Sequence, residues 1–230
     1  MLHKLLESYE QEWQRDEYNM SIEHMCSCMF LLVSCLGGKR GFKVMWTDLA
    51  ALRYDLLYCE DRGDFSAIFC PVVGRFKAHD GQLGCYLIPI AGTTNSDITF
   101  FEWTQRFVCP LAMDEKCEGW AFKNGDDTHA KAAHYMEDIY QQLETIQVET
   151  SLIDRDCDIR AEYGAQQSGR HFLTTTEAII KEVKPYVVEY QCLWQTDRAN
   201  GERSVNRSMI HLYSEVRNMK PVLIQPSQVC

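Results

Sequence analysis

Apolar positions fall at helical spacing in the first third of the chain, crowd into short β-rich runs in the middle, and return to helical spacing later. Residues 3–18 are charged and amphipathic. Ser21 is placed to cap a second helix whose stripe is Ile22, Met25, Cys26, Met29, Phe30, Val33 and Leu36, and Gly37-Gly38 ends it. A third helix starts at Thr47 or Asp48 and carries Leu49, Leu52, Leu56 and Leu57. After Gly63 the runs 65–76, 84–91, 98–108 and 119–122 read as strands, with Asp80-Gly81 as a hairpin signal. Asp126 or Asp127 opens a helix to about residue 146, with Ala132, Met136, Ile139, Tyr140, Leu143 and Ile146 on its apolar face. His134 and Asp138 lie opposite that face, four residues apart, as a solvent-facing ion pair. Beyond an irregular polar region, 150–172, come a helix over 176–183, a strand over 186–194, an Asn200-Gly201 turn and a helix over 204–219. A last strand, 222–224, is bracketed by Pro221 and Pro226, which favours an edge position.

This order predicts an α+β fold: N-terminal helices, a central antiparallel sheet, and a C-terminal helix-rich lobe with one or two strands. Two units divide naturally at 1–124 and 125–230, unless all 230 residues share one core. With 46% hydrophobic and 24% charged residues, the chain can bury such a core.

Cysteine usage fixes the expected compartment. The 11 cysteines are odd in number and include no C-x-x-C pair, so a disulfide framework or zinc ribbon is disfavoured. Reduced thiols in a cytoplasmic protein are the expectation. The run 25–36 is uncharged but only 12 residues long, short of the ~20 a membrane helix needs. Acids crowd the first twenty residues, against a signal peptide. A net charge of −10 repels phosphate backbones, so nucleic-acid binding would need a local basic patch.

Two acidic sets offer chemistry. In an extended chain, Asp154, Asp156 and Asp158 would share one face and could hold a hard divalent cation. They are no EF-hand, because Ile159 and Ala165 replace the required Gly and Glu. The second set is 187–194, where Glu189 and Gln191 alternate with Val188, Tyr190, Cys192 and Trp194. Glu-x-Gln on a strand, followed by a helix, resembles a degenerate PD-(D/E)xK nuclease core. The resemblance implies Mg²⁺ or Mn²⁺ held by Asp154, Asp156, Asp158 and Glu189, but Gln191 stands where the family has Lys.

Other polar groups have simpler explanations. His24, Cys28 and Cys35 share the back face of the second helix, yet seven residues separate the thiols by about 10 Å. That is too far for one zinc ion, so a helix buried on both faces is expected. His211 and Glu215 flank the apolar stripe of their helix. The basic segment Gly37-Gly38-Lys39-Arg40-Gly41 lacks the Walker spacing and reads as a helix cap. The functional expectation is a non-catalytic, soluble intracellular protein that binds a protein partner and needs no cofactor. A metal-dependent phosphodiesterase or nuclease, and a small-ligand sensor, are the alternatives.

Overall fold

The structure, a computed structural model, describes residues 1–15, 20–75, 83–113, 118–123, 130–163, 172–173, 196–197, 203–204 and 224–229. Its elements in chain order are α1 (Leu2–Arg15), α2 (Ile22–Gly37), α3 (Gly41–Val44), α4 (Leu49–Arg62), β1 (Ala67–Arg75), β2 (Leu83–Ala91), α5 (Phe100–Met113), α6 (Ala132–Glu149), α7 (Ile159–Glu162), β3 (Thr196–Asp197), β4 (Arg203–Ser204) and α8 (Gln225–Gln228). The class is α+β, with helices around an antiparallel hairpin.

Local chemistry sets the helix ends. Ser21 accepts the His24 N–H at 3.2 Å at the start of α2, and Gly38 closes it at φ 60°, a left-handed conformation that costs glycine least. Asp48 caps α4 through the Ala51 N–H at 2.9 Å. Helix α2 is buried nearly all round: Met25, Met29, Phe30 and Leu36 on one side, Cys28 and Cys35 on the other. Ile22 and Leu57, read as core-facing, are instead half exposed, because they sit at the edge and on the outer face of their helices.

β1 and β2 pair antiparallel from Ala67↔Ala91 to Arg75↔Leu83. The Asp80-Gly81 turn lies outside the described residues. On its other edge β1 meets the short stretch before α4, through Asp48 N–H to Pro71 O and Val73 N–H to Trp46 O, both 2.9 Å. That stretch in turn pairs with 119–121, through Ala121 N–H to Thr47 O and Leu49 N–H to Gly119 O. Residues 68–72 are all buried, with partners along both edges of β1 and α4 packed against the strand. From α4, the buried Asp55 carboxylate accepts the Phe69 N–H at 2.7 Å.

The run 98–108 corrects the strand reading. Its Phe, Trp, Thr and Val content favours a sheet, but Phe100, Trp103, Thr104, Phe107 and Val108 are the buried positions of helix α5. That i, i+3, i+4, i+7, i+8 spacing outweighs β-propensity once a core lies on one side. The turn before α5 needs Gly92, where a Cβ would come within 2.0 Å of the Phe65 carbonyl oxygen.

Helix α6 begins at Ala132 behind Lys131, not at Asp126 or Asp127, which lie outside the described residues. It packs on α1 and α2, and one hydrophobic cluster runs from Leu2 to Ile159. The last residues return to this body. Ser227 Oγ accepts the Ala91 N–H at 2.7 Å, and Ile224 packs with Ala67 and Ala91. Pro226 thus opens a helical turn, its ring φ suiting a first turn as well as a strand edge. Ser204 belongs to a short pair, Thr196↔Ser204 and Asp197↔Arg203, that brackets Asn200-Gly201, so it does not start a helix. The remainder of the expected helices 176–183 and 204–219 and the strand 186–194 fall outside the described residues. No described helix is long and apolar enough to cross a membrane.

Candidate functional site

The three aspartates occupy the loop between α6 and α7, each exposed. Asp154 Oδ1 accepts the Asp156 N–H at 3.1 Å, and Asp158 Oδ1 accepts the N–H groups of Arg160 and Ala161 at 3.0 and 3.1 Å. Asp158 is therefore the cap of α7, and the chain turns here instead of running extended. Gln147 pins the loop to α6, its amide reaching the carbonyls of Asp154 at 2.6 Å and Cys157 at 2.9 Å. Arg160 then grips Glu137 with two 2.7 Å bonds and lies over the Tyr140 ring. Among the described residues no group of three or more His, Cys, Asp or Glu is arranged to hold a metal ion. Glu189 and Gln191, like His211 and Glu215, lie outside the described residues.

The best-built polar cluster is at the α1–α2–α6 junction. His24 Nδ1 is 2.5 Å from Glu12 Oε1, and its Nε2 is 3.6 Å from Asp138 Oδ1. The fully buried Tyr9 donates its hydroxyl to Asp138 Oδ2 at 2.9 Å. His134 and Asp138 are thus not partners: His134 faces Glu23 at 2.9 Å, while Asp138 points into the helix junction. The two carboxylates meet opposite nitrogens of the His24 ring, so they cannot converge with it on one ion. Nor does the wholly buried Cys28 offer a shared ligand, its thiol pKa raised by burial. A neighbouring clamp ties α1 to α5, with Arg106 bonded to Glu10 and lying over Trp13 and Trp103 at 5.2 and 4.7 Å.

A single imidazole can donate to two carboxylates only when protonated. Burial pushes the His24 pKa down, but the Glu12 hydrogen bond and the charges of Asp138, Glu12 and Glu23 outweigh it, and the pKa is raised. Folding therefore favours the protonated form. The contribution is complete below the unfolded value of about 6.5 and is lost as pH rises through the higher folded value. Unfolding of wild type and His24→Gln across pH 5.5 to 9 should show their stability gap narrowing as pH rises. A gap that stays constant would mean that the ring contributes packing alone.

The other feature of note is α4, which is apolar on two sides. Leu49, Leu52, Leu56 and Cys59 are buried, while Tyr54 and Leu57 on the outer face are 68% and 50% exposed. Ala50 and Arg53 flank them, also exposed. Sequence reasoning counted Leu57 with the core; its angular position, about 100° per residue from the buried leucines, was the signal that separates it. No family model, curated protein or solved structure matches this chain.

Proposed function

We propose that this chain is a non-catalytic intracellular protein that works by binding another protein, and that the outer face of α4 is its contact surface. The observation that supports the reading is the exposed Tyr54–Leu57 pair, one helical turn apart and beside Arg53. Tyr and Arg are enriched in interface cores, and apolar anchors at i, i+3 spacing are how a helix face engages a groove. Burying the exposed half of the Leu57 side chain in a complex would return about 1 kcal/mol of transfer free energy.

The test places a photo-crosslinking side chain at Ala50 and compares wild type with Tyr54→Asp/Leu57→Asp. The double variant should unfold within about 0.5 kcal/mol of wild type, because neither side chain belongs to the core. A discrete protein adduct is expected in wild type and should be lost in the variant. An adduct of equal yield in both, or none in wild type, refutes this surface.

A further inference from the structure

The outer face of α4 carries a charge pattern that is its own complement. Leu57, 50% exposed, is the centre of the face. Arg53 stands four residues before it and Asp61 four residues after it, and both are exposed. Residues four apart lie about 40° from one another around a helix, so all three share one side. Tyr54, 68% exposed, lies on the same side. The flanking charges are already engaged: Glu60 accepts from the Gln105 amide at 2.7 Å, and Arg62 lies 4.5 Å over the Tyr58 ring. Among the described residues Arg53 and Asp61 take part in no ion pair.

A twofold axis at Leu57 turns this spacing into contact. In an antiparallel pair of helices related by such an axis, each position before Leu57 lies opposite the position equally far after it in the other copy. Leu57 then meets Leu57, with Tyr54 one turn to either side. Arg53 meets Asp61 of the second copy, and Asp61 meets the second copy's Arg53. Packed helices lie about 8–10 Å apart, a gap that an arginine side chain spans. Parallel pairing would set Arg53 against Arg53 and Asp61 against Asp61, so the charges select the antiparallel arrangement. The helix dipole favours it too. Asp61 is in the last turn of α4, where a carboxylate faces the negative end of the dipole. Beside the N-terminal half of an antiparallel copy it gains a cation.

Resting on the reading of the outer α4 face as a protein-binding surface, we propose that the protein bound there is a second copy of this chain, joined antiparallel through α4 about a twofold axis at Leu57. With net charge −10 on each, two copies repel at long range, so association depends on this local match. One face of a 14-residue helix is small beside the interface of a permanent dimer. The pairing is therefore weak and reversible, with a Kd in the micromolar range. The two Arg53–Asp61 contacts sit at its rim, where charges add little affinity but decide which surfaces pair and in which orientation.

Sedimentation velocity on the purified full chain, at about 0.15 M salt and from about 1 to 200 µM, should show a monomer–dimer equilibrium. Arg53→Asp and Asp61→Arg should each weaken dimerisation about tenfold or more, because each puts two like-charge contacts in place of two ion pairs. Mixed one to one, the two variants should dimerise with each other at close to wild-type affinity, since each supplies the sign that the other lacks. Both positions are exposed, so their urea midpoints should stay with wild type. Three results overturn the proposal: a wild-type chain monomeric at every concentration, a dimer that the charge reversals leave unchanged, or a mixture no tighter than its components. The photo-crosslinking side chain at Ala50 separates self-pairing from the reading beneath it. Self-pairing gives an adduct of twice the chain mass with purified protein alone. A monomeric chain that yields an adduct of another mass in cell extract overturns self-pairing and leaves the α4 surface standing, whereas no adduct in either setting sinks both.

Discussion

Phe122→Ala is expected to lower the free energy of unfolding by about 3–5 kcal/mol. Phe122 is 1% exposed and sits where four parts of the chain meet. Its ring lies 6.2 Å from Phe30 of α2, 5.7 Å from Tyr135 of α6 and 6.2 Å from Phe107 of α5. Truncation removes transfer free energy and leaves a cavity that three helices cannot all close at once. Leu143→Ala, also in the core, should cost about 2–5 kcal/mol, while the exposed His134→Ala should stay within about 0.5 kcal/mol. Urea unfolding curves check all three. A small loss at Phe122 would mean that the aromatic junction is not packed as described.

Asp55→Ala should cost about 1–3 kcal/mol, because it leaves the buried Phe69 N–H without the acceptor it has at 2.7 Å. Asp55→Asn keeps a carbonyl oxygen of nearly the same shape in that place and should cost less. Hydrogen exchange gives the local readout. The Phe69 amide, on the side of β1 facing α4, should exchange faster in the alanine variant, with exchange at the α6 amides changed far less. Equal losses in Ala and Asn would show that the charge of Asp55, and not its role as an acceptor, matters to α4 and β1.

Both predictions depend on contacts between residues far apart in sequence, and that is where the legibility of the chain changes. Helices α2 and α4 were readable because each signal is local. Ser21 and Asp48 cap within three residues, Gly38 and Gly63 take the left-handed turn, and the leucines repeat within one helix. The antiparallel hairpin was equally readable from β-rich runs on either side of Asp80-Gly81. α5 was not. Its residues favour a strand by type and a helix by spacing, and the choice depends on which core they meet.

The polar residues divide in the same way. Capping by Asp158 and the glycine cap after α2 act over two to four residues, so sequence can reach them. The use of Asp138 cannot be seen locally: its partners Tyr9 and His24 come from α1 and α2, more than a hundred residues earlier, and they draw it away from His134. Likewise Asp154 and Asp158 do not alternate along an extended chain: each accepts backbone N–H bonds in the turn before α7. Sequence by itself determined the class, helices α1, α2, α4 and α6, the hairpin and the acidic balance, because short-range caps and periodicity encode them. Tertiary structure alone decided the identity of α5 and the partners of Asp55 and Asp138. Those outcomes depend on which distant segments share a core, and no spacing along the chain specifies that.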